Sequence, residues 1–497
     1  MFVAELFSRL IGRALPRAQG GHERLPNLQA LPILSSDALS SVAYATEASL
    51  GVLILAGSSA LKQSLPITLA IIVLIAIVVL SYRQAISAYP NGGGSYVVAR
   101  ENLGRNVSLV AAAALLIDYV LTAAVSLMAG TQALSSLVPS LLPHELSLSL
   151  LLLALVGWAN LRGIREAGRV FAIPTYVFVV MILLLTLVGV ADLSFQHGWT
   201  PEPPPLEAAL QPLGLFLILR AFSSGCSAMT GIEAISTGVQ VFREPAARNA
   251  RVTLLVMGGL LAAMLLAVTG LGFMYGIAPD SQVTVLAQIG IRVFGSGSIL
   301  FWLLQLSTLL ILVLAANTAF AGFPLLAAML AEDRCLPPQM RWLGDRLVYQ
   351  NGIGVLLAVS ALIIWICHGD TTVAVNLYAL GVFTAFTLSQ LGLVLHWWRL
   401  RGPGWQGRMA LNALGAFSTF VVLLVIIVSK FTEGAWTVVI ALPLVVWGLA
   451  LIRRRSREVQ GLLAPDPCME PLFLKPIALP SRHHAIVWLA GLNQPSF

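Results

Sequence analysis

The sequence predicts an all-α polytopic membrane protein of twelve transmembrane helices, containing a 5+5 inverted repeat whose first and sixth helices are broken. Three observations predict it. Of 497 residues, 58% are hydrophobic and 10% charged, with a mean hydropathy of +0.87, whereas soluble domains carry about 25% charged residues. Apolar runs of about 20 residues, the length that crosses a ~30 Å hydrocarbon core, recur between short polar breaks. Two of these runs, at corresponding positions of two five-span halves, are interrupted by Ser and Gly and carry acids, the pattern of an inverted repeat with its site between the breaks. Five is odd, so the second half runs opposite to the first.

The runs fall at 31-58, 65-89, 107-140, 146-161, 169-190, 213-241, 251-276, 297-330, 352-367, 372-397, 410-429 and 434-452. Residues 1-30 are too polar for a removable signal peptide and lack its apolar core and cleavage site, so they are expected as a cytoplasmic amino-terminal segment with a short amphipathic surface helix. Residues 31-452 form the transmembrane domain, and residues 453-497 a cytoplasmic linker and the start of a truncated soluble domain. With the amino terminus inside, inner segments hold twenty-two arginines from Arg9 to Arg457, and the outer loops hold Lys62, Arg292 and Lys430. That bias orients the chain in a plasma (inner) membrane with both termini cytoplasmic. The net charge of +7 is spread over loops instead of forming a basic patch, which argues against a nucleic-acid partner and leaves the lipid bilayer as the surrounding one. Cys226, Cys335, Cys367 and Cys468 share no metal-like spacing, so no disulfide, resident metal or cofactor is expected.

The first span carries LSSDALSSVAYATE, Leu34 to Glu47, with Asp37 and Glu47 where hydrocarbon is expected. A charged side chain at mid-span costs about 2.5 to 3.5 kcal/mol on insertion scales, so it faces protein or water. Asp37, Ser40, Ser41 and Tyr44 stand at i, i+3, i+4 and i+7, one helical stripe that suits an oxygen-lined cation pathway. The serines equally suit close helix packing. The second span ends in Pro90, Asn91 and three glycines, a helix break expected as a re-entrant turn or gate hinge, since no GK[ST] follows to make a phosphate loop.

The third span aligns Asp118, Thr122 and Ser126 at i, i+4 and i+8, with Tyr119 seven residues before Ser126. The loop WANLRGIREAG is expected as a basic topology anchor, and PEPPPLE as a stiff outer connection. The sixth span reads AFSSGCSAMTGIEAISTG, with a break near Ser227 to Gly231 flanked by Thr230 and Glu233. Arg220 precedes that break by about eight residues and Glu47 follows the first by about six. At ~1.5 Å per residue both lie roughly 10 Å toward the outside, which predicts a shared structural polar pair. Tyr378 sits near the start of the tenth span, where an interface anchor and a ligand are both open readings.

With these segments in place, the chain resembles the amino acid-polyamine-organocation superfamily, with its LeuT-type fold, and more narrowly the KimA-type potassium/proton symporters related to the KUP potassium uptake systems. The segments SSDALSSVAYATE, LLIDYVLTAAVS, RAFSSGCSAMTGIEAIS, FREPAARNA and NTAFAGFPLLAAMLAEDR carry the resemblance. It implies potassium ligands at Asp37, Tyr44, Tyr119, Thr122, Ser126, Thr230 and Tyr378, and a proton carrier at Glu233. Asp118 joins Asp37 and Glu233 as an acid that titrates with them. The implied activity is secondary active, proton-coupled potassium uptake by alternating access, with potassium and protons as the transported partners. It also implies a homodimer through a cytoplasmic carboxyl-terminal domain, controlled in some members by cyclic di-AMP, of which only a first strand is legible near HHAIVWLAGLN.

Potassium wants neutral hydroxyl and carbonyl oxygens with one or two carboxylates, and coupling wants a desolvated acid. The alternative is a proton-coupled amino acid or polyamine permease on the same scaffold. Permeases of the superfamily have a glycine-rich turn in the first span, where this chain has SSDALSS. An enzyme is not expected, because none of the seven histidines lies inside a span near an acid and no HExxH is present.

Overall fold

The computed structural model describes residues 24–462 apart from residues 93, 164–167, 281, 345, 432 and 433. The expected amino-terminal surface helix, the Arg165 and Glu166 part of the basic loop, and the carboxyl-terminal strand lie outside the described residues. Sixteen α-helices follow in order: α1 Asn27–Ser40, α2 Val42–Leu53, α3 Ser64–Ala88, α4 Ser95–Asn102, α5 Arg105–Leu137, α6 Glu145–Leu161, α7 Gly168–Asp192 and α8 Leu215–Gly225. Then come α9 Ala234–Thr237, α10 Ala246–Met274, α11 Val285–Phe294, α12 Ile299–Glu332, α13 Gln350–Ile366, α14 Thr371–Leu400, α15 Trp405–Lys430 and α16 Ala435–Leu462.

Among the described residues, eleven helical segments are long and apolar enough to cross a membrane. The ninth expected span is α13, whose 17 residues reach roughly 25 Å at ~1.5 Å per residue and fall short of that set. The last helix continues through Arg453 to Leu462, into residues assigned to the linker, because no helix breaker intervenes before Gly461. Several starts are written in the sequence: the Thr284, Ser298 and Asp370 side chains accept from the Ala287, Phe301 and Thr372 amides and cap α11, α12 and α14.

The axis of the bundle is α5. In its membrane window 78% of residues are buried, against 17% in the last span. It packs on α12, α14 and α16, while α2 packs on α8 and α1 on α12. Around this core Val180, Leu183 and Leu187 of α7 point outward, as do Leu151 and Leu155 of α6. Such a continuous apolar exterior is stable against lipid, where every backbone group must be satisfied within a helix. Polar side chains join helices internally: Asn160 donates to Asn317 at 2.7 Å and Ser81 to Asn412 at 2.6 Å.

The stretch before the first span is tied to the stretch after the sixth. Leu25 N–H donates to Val241 O at 2.7 Å, Arg243 N–H to Leu25 O at 3.0 Å, and Arg24 pairs with Glu244. The Ala246 amide, and then the Arg24 charge, hold the exposed Glu244 carboxyl below its usual range.

Candidate functional site

Both breaks form where the sequence offers the backbone substitute partners. In the first span, α1 ends at Ser40 and α2 starts at Val42. Ser40 Oγ donates to Asp37 O at 2.9 Å, and Ser41 Oγ to Ala38 O at 2.6 Å and across to Ala228 O at 3.0 Å. These hydroxyls occupy carbonyls at the turn, the usual competition of serine with the helical ladder. In the sixth span, α8 ends at Gly225, a 3₁₀ turn covers Cys226–Met229, Thr230 is extended, and α9 resumes at Ala234.

Gly231 brings the two breaks together. Its φ of +73° is a left-handed conformation, and a Cβ there would lie 2.7 Å from Asp37 Oδ2 and 2.8 Å from Ala38 N. The bare backbone of the sixth span therefore rests directly on Asp37. Around this junction Tyr44 OH lies 3.5 Å from Thr230 Oγ1, Tyr378 OH lies 3.5 Å from Asp37 Oδ1, and Thr122 Oγ1 lies 2.6 Å from Tyr378 OH. Thus α1, α2, α5, α14 and the sixth-span break each contribute oxygens to one buried cluster. Tyr378 is completely buried, so of its two sequence readings the structure excludes the interface anchor. Ser126 is buried on the same face of α5 as Thr122, and its Oγ has no partner among the described residues.

A second cluster adjoins the first. Glu233 Oε2 accepts from Ser95 Oγ at 2.6 Å and from Tyr82 OH at 3.1 Å, while Tyr82 OH and Ser95 Oγ stand 2.9 Å apart. Asp118, one turn before Thr122 on α5, is buried beside Gly381 of α14, and its Oδ1 has no hydrogen-bond partner among the described residues. Asp37, Asp118 and Glu233 are 6%, 7% and 7% exposed, and none forms an ion pair among the described residues. Tyr119 lies beyond Asp118, wedged against Gly322, where a Cβ would come within 2.5 Å of its ring. Tyr119 and Glu233 line a cavity of about 520 Å³ bounded by the Pro90–Asn91 turn, Gly94, Thr237 and Met329. The cavity thus lies at the end of the bundle that carries Arg100, and its wall is the glycine turn.

The expected outer pair is placed on touching helices, Glu47 on α2 and Arg220 on α8. Glu47 Oε2 accepts from the Val285 amide at 3.3 Å.

A family model described as amino acid permease matches residues 33–450, nearly all of the membrane part. The chain belongs to that family. Among members of the amino acid permease superfamily it is 44% identical over 440 residues to the potassium transporter KimA of Bacillus subtilis, covering 88% of this chain and 72% of KimA. It is 24% identical over 377 residues to the probable potassium transport system protein Kup 2 of Albidiferax ferrireducens, covering 72% of this chain and 56% of that relative. The resemblance to KimA-type chains read from the segments is therefore real, and the protein is a multi-pass membrane member of this family.

Sequence reasoning missed Tyr82 and Ser95, the hydroxyls on Glu233. Their signal was a tyrosine inside the second span and a serine directly after the glycines. Lys430 corrects an expectation: counted as an outer-loop charge, it is completely buried at the end of α15, and its Nζ lacks a hydrogen-bond partner among the described residues.

Proposed function

We propose that this protein is a secondary active transporter that couples potassium uptake to proton entry across the plasma membrane. The observation that supports this reading most is the set of three buried carboxylates, Asp37, Asp118 and Glu233, with no ion-pair partner among the described residues, near the junction of two broken spans. Burying even one uncompensated charge costs several kcal/mol, so the site calls for cations from outside the protein: a metal ion, protons, or both. The oxygens of Asp37, Tyr44, Thr122, Ser126, Thr230 and Tyr378 surround potassium, with one full negative charge and otherwise neutral donors, and Tyr119 meets the ion on the vestibule side. The similarity to the potassium transporter KimA and to the probable potassium transport system protein Kup 2 agrees with this cargo.

Glu233 carries the proton. Three short oxygen contacts join Glu233, Tyr82 and Ser95, and two hydroxyls supply only two protons. With Glu233 ionised both hydroxyls donate to Oε2 and the Tyr82–Ser95 contact lacks a proton. A proton on Oε2, donated to Tyr82 OH, turns Tyr82 to donate to Ser95 Oγ so that all three contacts are filled, and the vestibule beside it provides the exit. Asp118, coupled to both neighbouring acids, makes ion arrival at Asp37 and proton loss at Glu233 energetically dependent. The arginine-rich end faces the cytoplasm, both termini are inside, and α13 completes a twelfth crossing. The two broken spans head inverted five-span halves that alternate access around the site. Glu47 and Arg220 form part of one polar layer on the outer side.

The family description, amino acid permease, supports a second reading, a proton-coupled amino acid or polyamine permease. Asp37 against Gly231 repels a substrate carboxylate, which favours the bare cation. The test is rubidium uptake into vesicles containing purified protein, with an amino acid and polyamine panel as competitors. Wild type is expected to take up rubidium without competition, and Asp37→Asn to lose at least tenfold while keeping its elution profile. Displacement of rubidium by an amino acid would reverse the choice.

A further inference from the structure

Outside the transport pathway, the arginine-rich end holds a second cavity of about 300 Å³, walled by α4, the start of α5, the end of α12 and the end of α16. Five guanidiniums line it, those of Arg100, Arg105, Arg334, Arg453 and Arg457, against the two carboxylates of Glu332 and Asp333. Asp333 is already committed: Arg100 pairs with it at 2.7 Å and Tyr96 OH donates to it at 2.5 Å. Arg453 is the unusual member. It is about nine-tenths buried, and its described contacts are two long ones, 3.4 Å to Arg105 O and 3.5 Å to Asn106 Oδ1. Neither is a carboxylate. Helix α5 begins at the same wall after Gly104, with no side-chain cap, so its first amides and positive dipole end also serve the cavity. Burial pushes the Cys335 thiol up and Asp333 adds to that, while the charges of Arg453, Arg457 and Arg105 pull against it.

We propose that this cavity binds a phosphate group, held by Arg453 and Arg457 with Arg105 and Arg334 closing over it. The same chemistry fits the headgroup of an anionic lipid or free phosphate. The lipid-exposed face of α16 gives access to the first. Tyr96 and Arg100 also border the vestibule of the transport site, so an occupied phosphate site stiffens the wall that the transport pathway opens through.

The full-length protein, purified in detergent, is titrated with inorganic phosphate at constant ionic strength. In parallel, nanodiscs of phosphatidylcholine with increasing phosphatidylglycerol are assayed for retained anionic lipid. Arg453→Gln and the exposed Arg457→Gln are expected to weaken phosphate or phosphatidylglycerol binding about fivefold each. Arg454→Gln, whose side chain pairs with Glu458, is expected to leave binding unchanged. Binding in detergent assigns free phosphate, and retention confined to nanodiscs assigns the headgroup. Absence of both in wild type, or equal losses in all three variants, overturns the site. Arg457→Gln keeps the test decisive if Arg453→Gln does not fold.

Discussion

Gly231 decides whether the two breaks meet at all. Any L-residue at its φ of +73° costs about 1–2 kcal/mol, and a methyl group would also drive into Asp37 Oδ2 and Ala38 N, both within 2.8 Å of the Cβ position. Gly231→Ala is therefore expected to cut rubidium uptake at least tenfold and to lower stability by about 1–2 kcal/mol; uptake at the wild-type rate would separate Gly231 from the site. Glu233 poses a different question, because Gln fits its volume and can still meet Tyr82 and Ser95. Glu233→Gln is expected to keep the fold and to abolish potassium-driven proton flux, measured with a pH-sensitive dye in vesicles. Proton flux still tied to potassium would move the carrier role to Asp118.

At the scale of elements, the sequence made the spans and both breaks legible for a physical reason. A run such as 107-140 is apolar over a length that matches the hydrocarbon core, and it folds as α5, Arg105–Leu137. In the first and sixth spans the serines and glycines cluster beside the acid, and the helix turns there, whereas α5 carries Asp118 among alanines and leucines and stays unbroken. What stayed hidden depends on contacts across long stretches of chain: Tyr82 and Ser95 reach Glu233 over 151 and 138 residues. Lys430 was misplaced because a lysine at a helix end looks like a loop charge until neighbouring helices cover it. The clasp of Leu25 on Val241, with Arg24 on Glu244, was equally invisible, being a pairing of two loops. Its Glu244 carboxyl is held below its ordinary value by the Ala246 amide and Arg24, so its contribution is present above the unfolded-state value. That contribution is lost as pH falls through the depressed folded value. Spin labels on Leu28→Cys and Gln240→Cys are expected to hold a narrow distance distribution at neutral pH that broadens on acidification below the ordinary carboxylate range. In Glu244→Gln the distribution is expected to be broad throughout; a distribution in that variant as narrow as the parent's would show that the charge does not hold the clasp.

For the whole molecule, the arrangement of cavities has a direction. The oxygen cluster at Asp37, Tyr44, Thr230 and Tyr378 is closed to within a few per cent of complete burial, while Glu233 and Tyr119, one layer further on, line the 520 Å³ vestibule at the arginine-rich end. On the proposed function, an ion leaving the cluster would pass Glu233, the proposed carrier acid, then the glycine turn and Met329. If that end is the cytoplasmic one, a thiol placed in the vestibule reacts from one side of the membrane only, and its reactivity tracks the transport cycle. Met329→Cys, in a chain whose four native cysteines are replaced by serine, is expected to react with an impermeant maleimide in inside-out vesicles and not in intact cells. On the proposed alternating access, potassium with an inward proton gradient is expected to slow that reaction several-fold, and sodium to leave it unchanged. Labelling from the cell exterior at a comparable rate would invert the orientation, and labelling insensitive to potassium would mean that the vestibule does not open and close as the ion crosses.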